Sequence, residues 1–140
     1  MSRPTPYKLV ALDQDLTTLR TIAEAAAPYF DVVRVRDAAR AITMCDEDAA
    51  VRVIVAESTI YPPTGTCVLD VVRLRRPSVR RVMLTTYEDL SMIVNGLHTG
   101  AIQHLAQKPI QIAELVGIIS RFAEPAVLSG VTDPLPSHAA

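Results

Sequence analysis

Five times along this chain a short apolar run is followed by a segment whose apolar residues recur at intervals of three and four. No other feature of the sequence narrows the fold as far. Runs of that length read as strands, and the recurring segments as helices with one apolar face. Strand and helix in strict alternation predict an α/β fold: a doubly wound, five-stranded parallel sheet with covering helices. At 140 residues the chain has the length of one domain, which at this size buries roughly two thirds of its unfolded surface.

Residues 9–12 form the first strand, ended by the acidic turn Asp13-Gln14-Asp15. Leu16, Leu19, Ile22, Ala23 and Ala26 then share one helix face, Asp15 is placed to cap the first turn, and Pro28 closes the helix. Residues 31–36 alternate valine with charge, as a half-buried edge strand does. Asp37 can cap a second helix whose inner face is Ala38, Ala41, Ile42 and Cys45. Residues 52–56 are almost continuously apolar, the pattern of a central strand buried on both faces, and end at Glu57. A turn-rich stretch with Pro62-Pro63 follows, then a third helix on Val68, Leu69 and Val72 that stops before Pro77. Residues 82–85 are a fourth strand. Leu90, Ile93, Val94 and Leu97 then fall on one helix face before Gly100, which suits a left-handed stop. A fifth strand over 102–106 is ended by Lys108-Pro109, and Ile112, Leu115, Ile118, Ile119 and Phe122 give the last helix its stripe. The domain is thus expected over 7–123, with an N-terminal extension over 1–6. A Pro-, Ser-, Gly- and Ala-rich tail over 124–140 is expected to be flexible.

Several function classes lack their signatures. A net charge of -1 with scattered basic residues gives no concentrated positive face for nucleic acid. The densest basic stretch, Arg73, Arg75, Arg76, Arg80 and Arg81, reads as a solvated helix end. No apolar run approaches the roughly 20 residues of a membrane span, and residues 1–6 lack a signal peptide's apolar segment, so a soluble, cytoplasmic protein is expected. Cys45 and Cys67 have no metal or redox spacing and read as small buried apolar residues. Neither GxGxxG nor GxxxxGK[ST] occurs, so a nucleotide or flavin site has no fingerprint.

In a doubly wound sheet the informative residues sit just after the strands. Here those are Asp13, Gln14 and Asp15 after the first, Glu57 after the third, Thr85 and Thr86 after the fourth, and Lys108 after the fifth. This set resembles the receiver domain of bacterial two-component response regulators, a (βα)5 flavodoxin-like fold, over about residues 7–123. Pro62 and Gly65 after Glu57, Leu84-Thr85-Thr86-Tyr87, Gly100-Ala101 and Lys108-Pro109 are similar to segments of that family in the same order, with Pro62 shifted by one residue. The resemblance implies that Asp13 matches the first acidic position of a Mg²⁺ site, Thr85 the hydroxyl and Lys108 the cation that bind phosphoryl oxygens.

Two residues depart from the family pattern. Gln14 stands where a second acid is expected, and an amide brings no charge to a hard cation that prefers carboxylate and water oxygens. Glu57 stands at the phosphoacceptor position, its carboxylate one methylene further from the backbone than an aspartate's. In displacement chemistry about 1 Å of misplacement can cost on the order of a hundredfold in rate. The sequence therefore points to a degenerate pseudo-receiver, with no catalytic residue and no metal or other cofactor. Its pocket would comprise Asp13, Gln14, Glu57, Thr85 and Lys108. Glu57 has two readings: a partial imitation of a phosphoryl group, or a residual ion pair with Lys108. The alternative is an active phosphoacceptor holding Mg²⁺ through Asp13 and Asp15.

The family's switch aromatic, three residues before the Lys, is here Leu105, with His104 beside it. A leucine offers no polar handle, so a rotamer switch is absent or moved to His104; as an ordinary residue His104 reads as part of a partly exposed sheet. The expected function is phosphorelay-type signalling by protein–protein interaction. The partner would be another signalling protein or a second copy of the chain, meeting the fourth helix, fifth strand and fifth helix.

Overall fold

A computed structural model describes residues 7–58, 60, 67–86 and 90–124. The expected N-terminal extension, the tail from residue 125 onward, and Pro62, Gly65, Tyr87 and Glu88 lie outside the described residues. Ten elements alternate strictly: β1 Lys8–Leu12, α1 Leu16–Ala26, β2 Asp31–Val35, α2 Ala38–Glu47, β3 Val51–Glu57, α3 Val68–Arg75, β4 Arg80–Thr85, α4 Leu90–Thr99, β5 His104–Gln107 and α5 Ile112–Phe122. All neighbouring strands pair in parallel, in the order β2-β1-β3-β4-β5.

The sheet separates two apolar cores. On one face Val10, Leu12, Ile54, Ala56 and Met83 pack with Ala41 and Cys45 of α2 and Leu69 and Val72 of α3. On the other, Leu9, Ala11, Val53, Val55 and Leu84 pack with Leu19 and Ile22 of α1 and Leu115, Ile119 and Phe122 of α5. Being covered on both sides explains why β1 and β3 read as continuous apolar runs. The alternation of β3 breaks once: Lys8 pairs with Val51 and Leu9 with Val53, so Arg52 is an extra residue, a bulge. Val51 accordingly joins one core and Val53 the other.

Local chemistry starts and stops the helices. Asp15 accepts from the Thr18 N–H (3.1 Å) and Asp37 from the Arg40 N–H (3.1 Å), the N-caps expected for α1 and α2. Gly100 follows α4 at φ +86°, a left-handed conformation that a side chain would strain.

Five expectations are corrected. Leu16 lies off the buried face of α1, which comprises Thr18, Leu19, Ile22, Ala25 and Ala26, while Ala23 is only half-buried. In α4 only Ile93 of the predicted stripe is buried, and Leu90, Val94 and Leu97 are 61%, 63% and 45% exposed. The helix turns Ile93 and Gly96 inward instead, with Gly96 so close to Ile102 that a Cβ there would fall 2.5 Å from Ile102 Cδ1. Ile112, in the first turn of α5, is exposed, and β5 starts two residues later than its apolar run, at His104.

The fifth correction concerns the basic stretch, two of whose arginines are buried structural members. Arg76 donates to the carbonyls of Cys45 (2.6 Å), Asp48 (3.2 Å) and Val51 (3.2 Å). Arg81 donates to those of Pro77 (3.1 Å), Val79 (2.7 Å), Gly100 (3.2 Å) and Ala101 (3.2 Å). Carbonyls at the ends of helices and strands need donors, and a guanidinium's five N–H groups satisfy several at once. Burial pushes Arg81 down to about 10, with Arg73 and Arg80 adding to the fall, and it stays charged at neutral pH.

Candidate functional site

The carboxyl ends of β1, β3, β4 and β5 meet at one edge of the sheet, and the side chains that follow them form the candidate site. Asp13, 2% exposed, is fixed twice. Its Oδ1 accepts from the Asp15 N–H (2.9 Å), folding the turn after β1, and its Oδ2 accepts from Lys108 Nζ (3.1 Å). Lys108 is set by its own backbone, whose N–H donates to the Thr85 carbonyl (2.8 Å) and continues the pairing of β4 with β5 just past their ends. Thr85, fully buried, closes β4 beneath it. Charge-assisted bonds of this kind are roughly twice as strong as neutral ones. The Asp13–Lys108 pair thus spans the edge from β1 to the far side of β4.

Glu57 ends β3 and is half-buried. Its Oε1 accepts from the Ser58 hydroxyl (3.4 Å), while the Ser58 N–H donates to the Leu84 carbonyl (2.9 Å). Lys108, the ion-pair partner considered for Glu57, makes an ion pair with Asp13. Gln14 turns away from this group: its Nε2 donates to the Arg36 carbonyl (3.0 Å), and Arg36 Nε donates back to the Gln14 carbonyl (3.0 Å). The two bonds clamp the β1–α1 turn to the end of β2. Asp15 Oδ2 is taken by the Thr18 hydroxyl (2.7 Å) and N–H, and the hydroxyl bond, followed by the backbone bond, holds this carboxyl below its usual range. The structure therefore brings Asp13, Lys108 and Thr85 together with Glu57 at the neighbouring strand end, and leaves Gln14 and Asp15 on other duties.

This donor set does not fit Mg²⁺, which demands near-octahedral oxygen coordination built on carboxylates. Both Asp13 oxygens are engaged, the Gln14 amide lies on Arg36, and the Asp15 carboxylate caps a helix. Among the described residues, no three His, Cys, Asp or Glu side chains gather into a group that could hold a metal ion.

Leu105 and His104 occupy opposite faces of β5. Leu105 is partly buried against the core of α2 and α3. His104 stacks edge-on against Phe122 of α5, ring centroids 5.2 Å apart at 69°. Burial pushes its imidazole below 6.5, and the charges of Arg121 and Arg80 push it the same way.

Beside the site, α4 presents the exposed Leu90, Val94 and Leu97. Leu90, Ser91, Val94, Asn95 and His98 line an open surface hollow of about 530 Å³. Among the described residues, no helix is long and apolar enough to cross a membrane. Sequence reasoning missed the roles of Arg36, Arg76 and Arg81. Their common signal, an arginine beside the end of a strand or helix, is shared by many solvated arginines.

No protein-family model matches the sequence, and no curated protein does. Solved structures do. The signal receiver domain of an HD domain-containing protein from Pseudomonas fluorescens Pf-5 is 21% identical, with a TM-score of 0.72 over 85% of this chain and 94% of that one. The CheY-like response regulator receiver domain from Methanospirillum hungatei JF-1 is 18% identical, with a TM-score of 0.74 over 85% and 94%. The receiver domain of the Francisella response regulator 1452 is 19% identical, with a TM-score of 0.70 over 85% and 97%. At such identities the likeness is one of fold, and the fold is that of a CheY-like receiver.

Proposed function

We propose that this receiver-fold chain is a pseudo-receiver: a non-enzymatic signalling module that acts by binding another protein, without phosphoryl transfer. Glu57 carries the reading, a glutamate at the end of β3 where the receiver resemblance expects the reactive aspartate. Two features support it. The Gln14 amide is spent on Arg36 and the Asp15 carboxylate on the α1 cap, so the turn after β1 presents one acid, Asp13, already tied to Lys108. In this reading the Glu57 carboxylate stands at the phosphoryl position, while Lys108 pairs with Asp13. Its imitation is partial, one charge and two oxygens against roughly two charges and three oxygens for a phosphate.

The partner surface in this reading is the face of α4, β5 and α5, met by a second signalling protein or by another copy of the chain. Three large apolar side chains exposed on one uncharged helix support it, because aggregates of exposed apolar surface mark interaction sites. A bacterial cytoplasmic two-component pathway is the setting that such a module suits.

Intact mass after incubation with acetyl phosphate and Mg²⁺ tests the central point. The native chain is expected to stay unmodified, while a Glu57→Asp, Gln14→Asp double variant gains one phosphoryl group. A phosphorylated native chain would sink the reading, and the active phosphoacceptor would take its place.

A further inference from the structure

At the opposite edge of the sheet, where the strands begin, cationic side chains collect on the α1/α5 face. Arg52 is the bulge residue of β3, and its guanidinium lies over the Tyr7 ring, 4.9 Å from the centroid. Tyr7 packs on the core beneath α1 and α5, which fixes the face that Arg52 takes. Arg80 starts β4, paired with Val53 beside Arg52, and alternates with Val82 and Leu84 of that same core. His104 starts β5 on this face, stacked on Phe122, and Arg121 precedes Phe122 at the end of α5. The charges of Arg80 and Arg121 both reach His104.

Arg52 has an unmet need. Its Nε is buried, and its N–H has no hydrogen-bond acceptor among the described residues. A buried donor without a partner is rare, and is explained when an acceptor arrives that the described residues do not supply. The acid near the start of β3, Asp48, is already spent on Lys8 Nζ (2.7 Å) and the Ala50 N–H (2.9 Å). Stacking on Tyr7 holds the guanidinium plane still, which leaves its two terminal amino groups presented for two-pronged recognition of an oxyanion. Bulges commonly re-aim a side chain, and this one sets Arg52 over Tyr7.

We propose that Arg52, with Arg80 and Arg121, forms a binding site for a phosphate oxyanion at the amino edge of the sheet. It would take inorganic phosphate or a phosphate monoester. The site lies at the end of the strands remote from Asp13 and Lys108 and is independent of whether Glu57 is phosphorylated.

The test follows the Arg52 Nε–Hε and His104 ring resonances of the full chain at pH 7.5. Inorganic phosphate is titrated in, and sodium chloride of equal ionic strength serves as the control. Phosphate is expected to give saturable shifts at both groups, and chloride none. Arg52→Met is expected to weaken phosphate binding at least tenfold, read at His104. If that variant does not fold, the exposed Arg121→Met, expected to weaken binding severalfold, takes its place. Shifts that never saturate, equal shifts in both salts, or unchanged affinity in a folded Arg52→Met or its Arg121→Met substitute would each overturn the site. Glycerol 3-phosphate separates the two sources: saturation by it assigns an ester, and saturation by inorganic phosphate alone assigns the free ion.

Discussion

At the scale of single residues, the same side-chain type takes opposite roles according to where its backbone stands. Asp15 and Asp37 cap helices from exposed positions, while Asp13, two residues from Asp15, is buried and neutralised by Lys108. His104 gives this scale its prediction. Its folded imidazole titrates below 6.5, so as the pH falls past 6.5 the unfolded chain takes up the proton first. The contribution is therefore fully present above pH 6.5 and lost as the pH drops toward the folded value. Urea midpoints at pH 7.5 and 5.5 should show a larger loss for the native chain than for His104→Gln, and parallel losses would remove His104 as the cause. The two caps were legible in the sequence because a cap is a local event, set within three residues. Where Gln14 and Lys108 point was not. Their partners, Arg36 and Asp13, lie 22 and 95 positions away, and only the folded topology brings them near.

At the scale of elements, the turn between α4 and β5 is held by a side chain from another strand. Arg81 reaches the carbonyls of Gly100 and Ala101 from the start of β4, and its own N–H donates to the Gln103 side chain (2.8 Å). Arg81→Met would leave four buried or part-buried carbonyls without this donor. It should cost roughly 3 kcal/mol, since bonds to charged groups contribute more than neutral ones and orphaned acceptors add their desolvation. Urea unfolding measures the loss, and a change within 0.5 kcal/mol, roughly that of an ordinary surface substitution, would show that water takes over the carbonyls. Every strand and helix was legible from its apolar period. The inward side of α4 was not: of its five apolar residues in ten, Leu90, Val94 and Leu97 share the period of Ile93 yet lie exposed, and the helix has no formal charge to mark its outer face. Packing against Ile102 decides it, through the one residue in α4 small enough to let the strand turn approach, Gly96.

At the scale of the whole molecule, the parallel order β2-β1-β3-β4-β5 gathers the candidate site at the carboxyl ends of the strands and leaves the buried Arg76 and Arg81 at their amino ends. The sequence carried this architecture plainly, because strict alternation of strand and helix admits few topologies. The whole-molecule prediction concerns association. If the α4 face is the contact surface, Leu90→Glu with Val94→Glu should shift sedimentation toward monomer or abolish capture of the partner, with an unfolding midpoint close to native, since both side chains are more than half exposed. A lowered midpoint with unchanged association would place the contact elsewhere. The Asp13–Lys108 pair carries a consequence for biosynthesis. Its members are 95 residues apart, and Lys108 follows the last strand. A chain emerging from the ribosome exposes Asp13 early, yet the counter-charge arrives only after all five strands have been made. Until then a partly assembled sheet would hold a carboxylate it cannot bury, which favours waiting over premature closure and makes this ion pair a marker of completed folding.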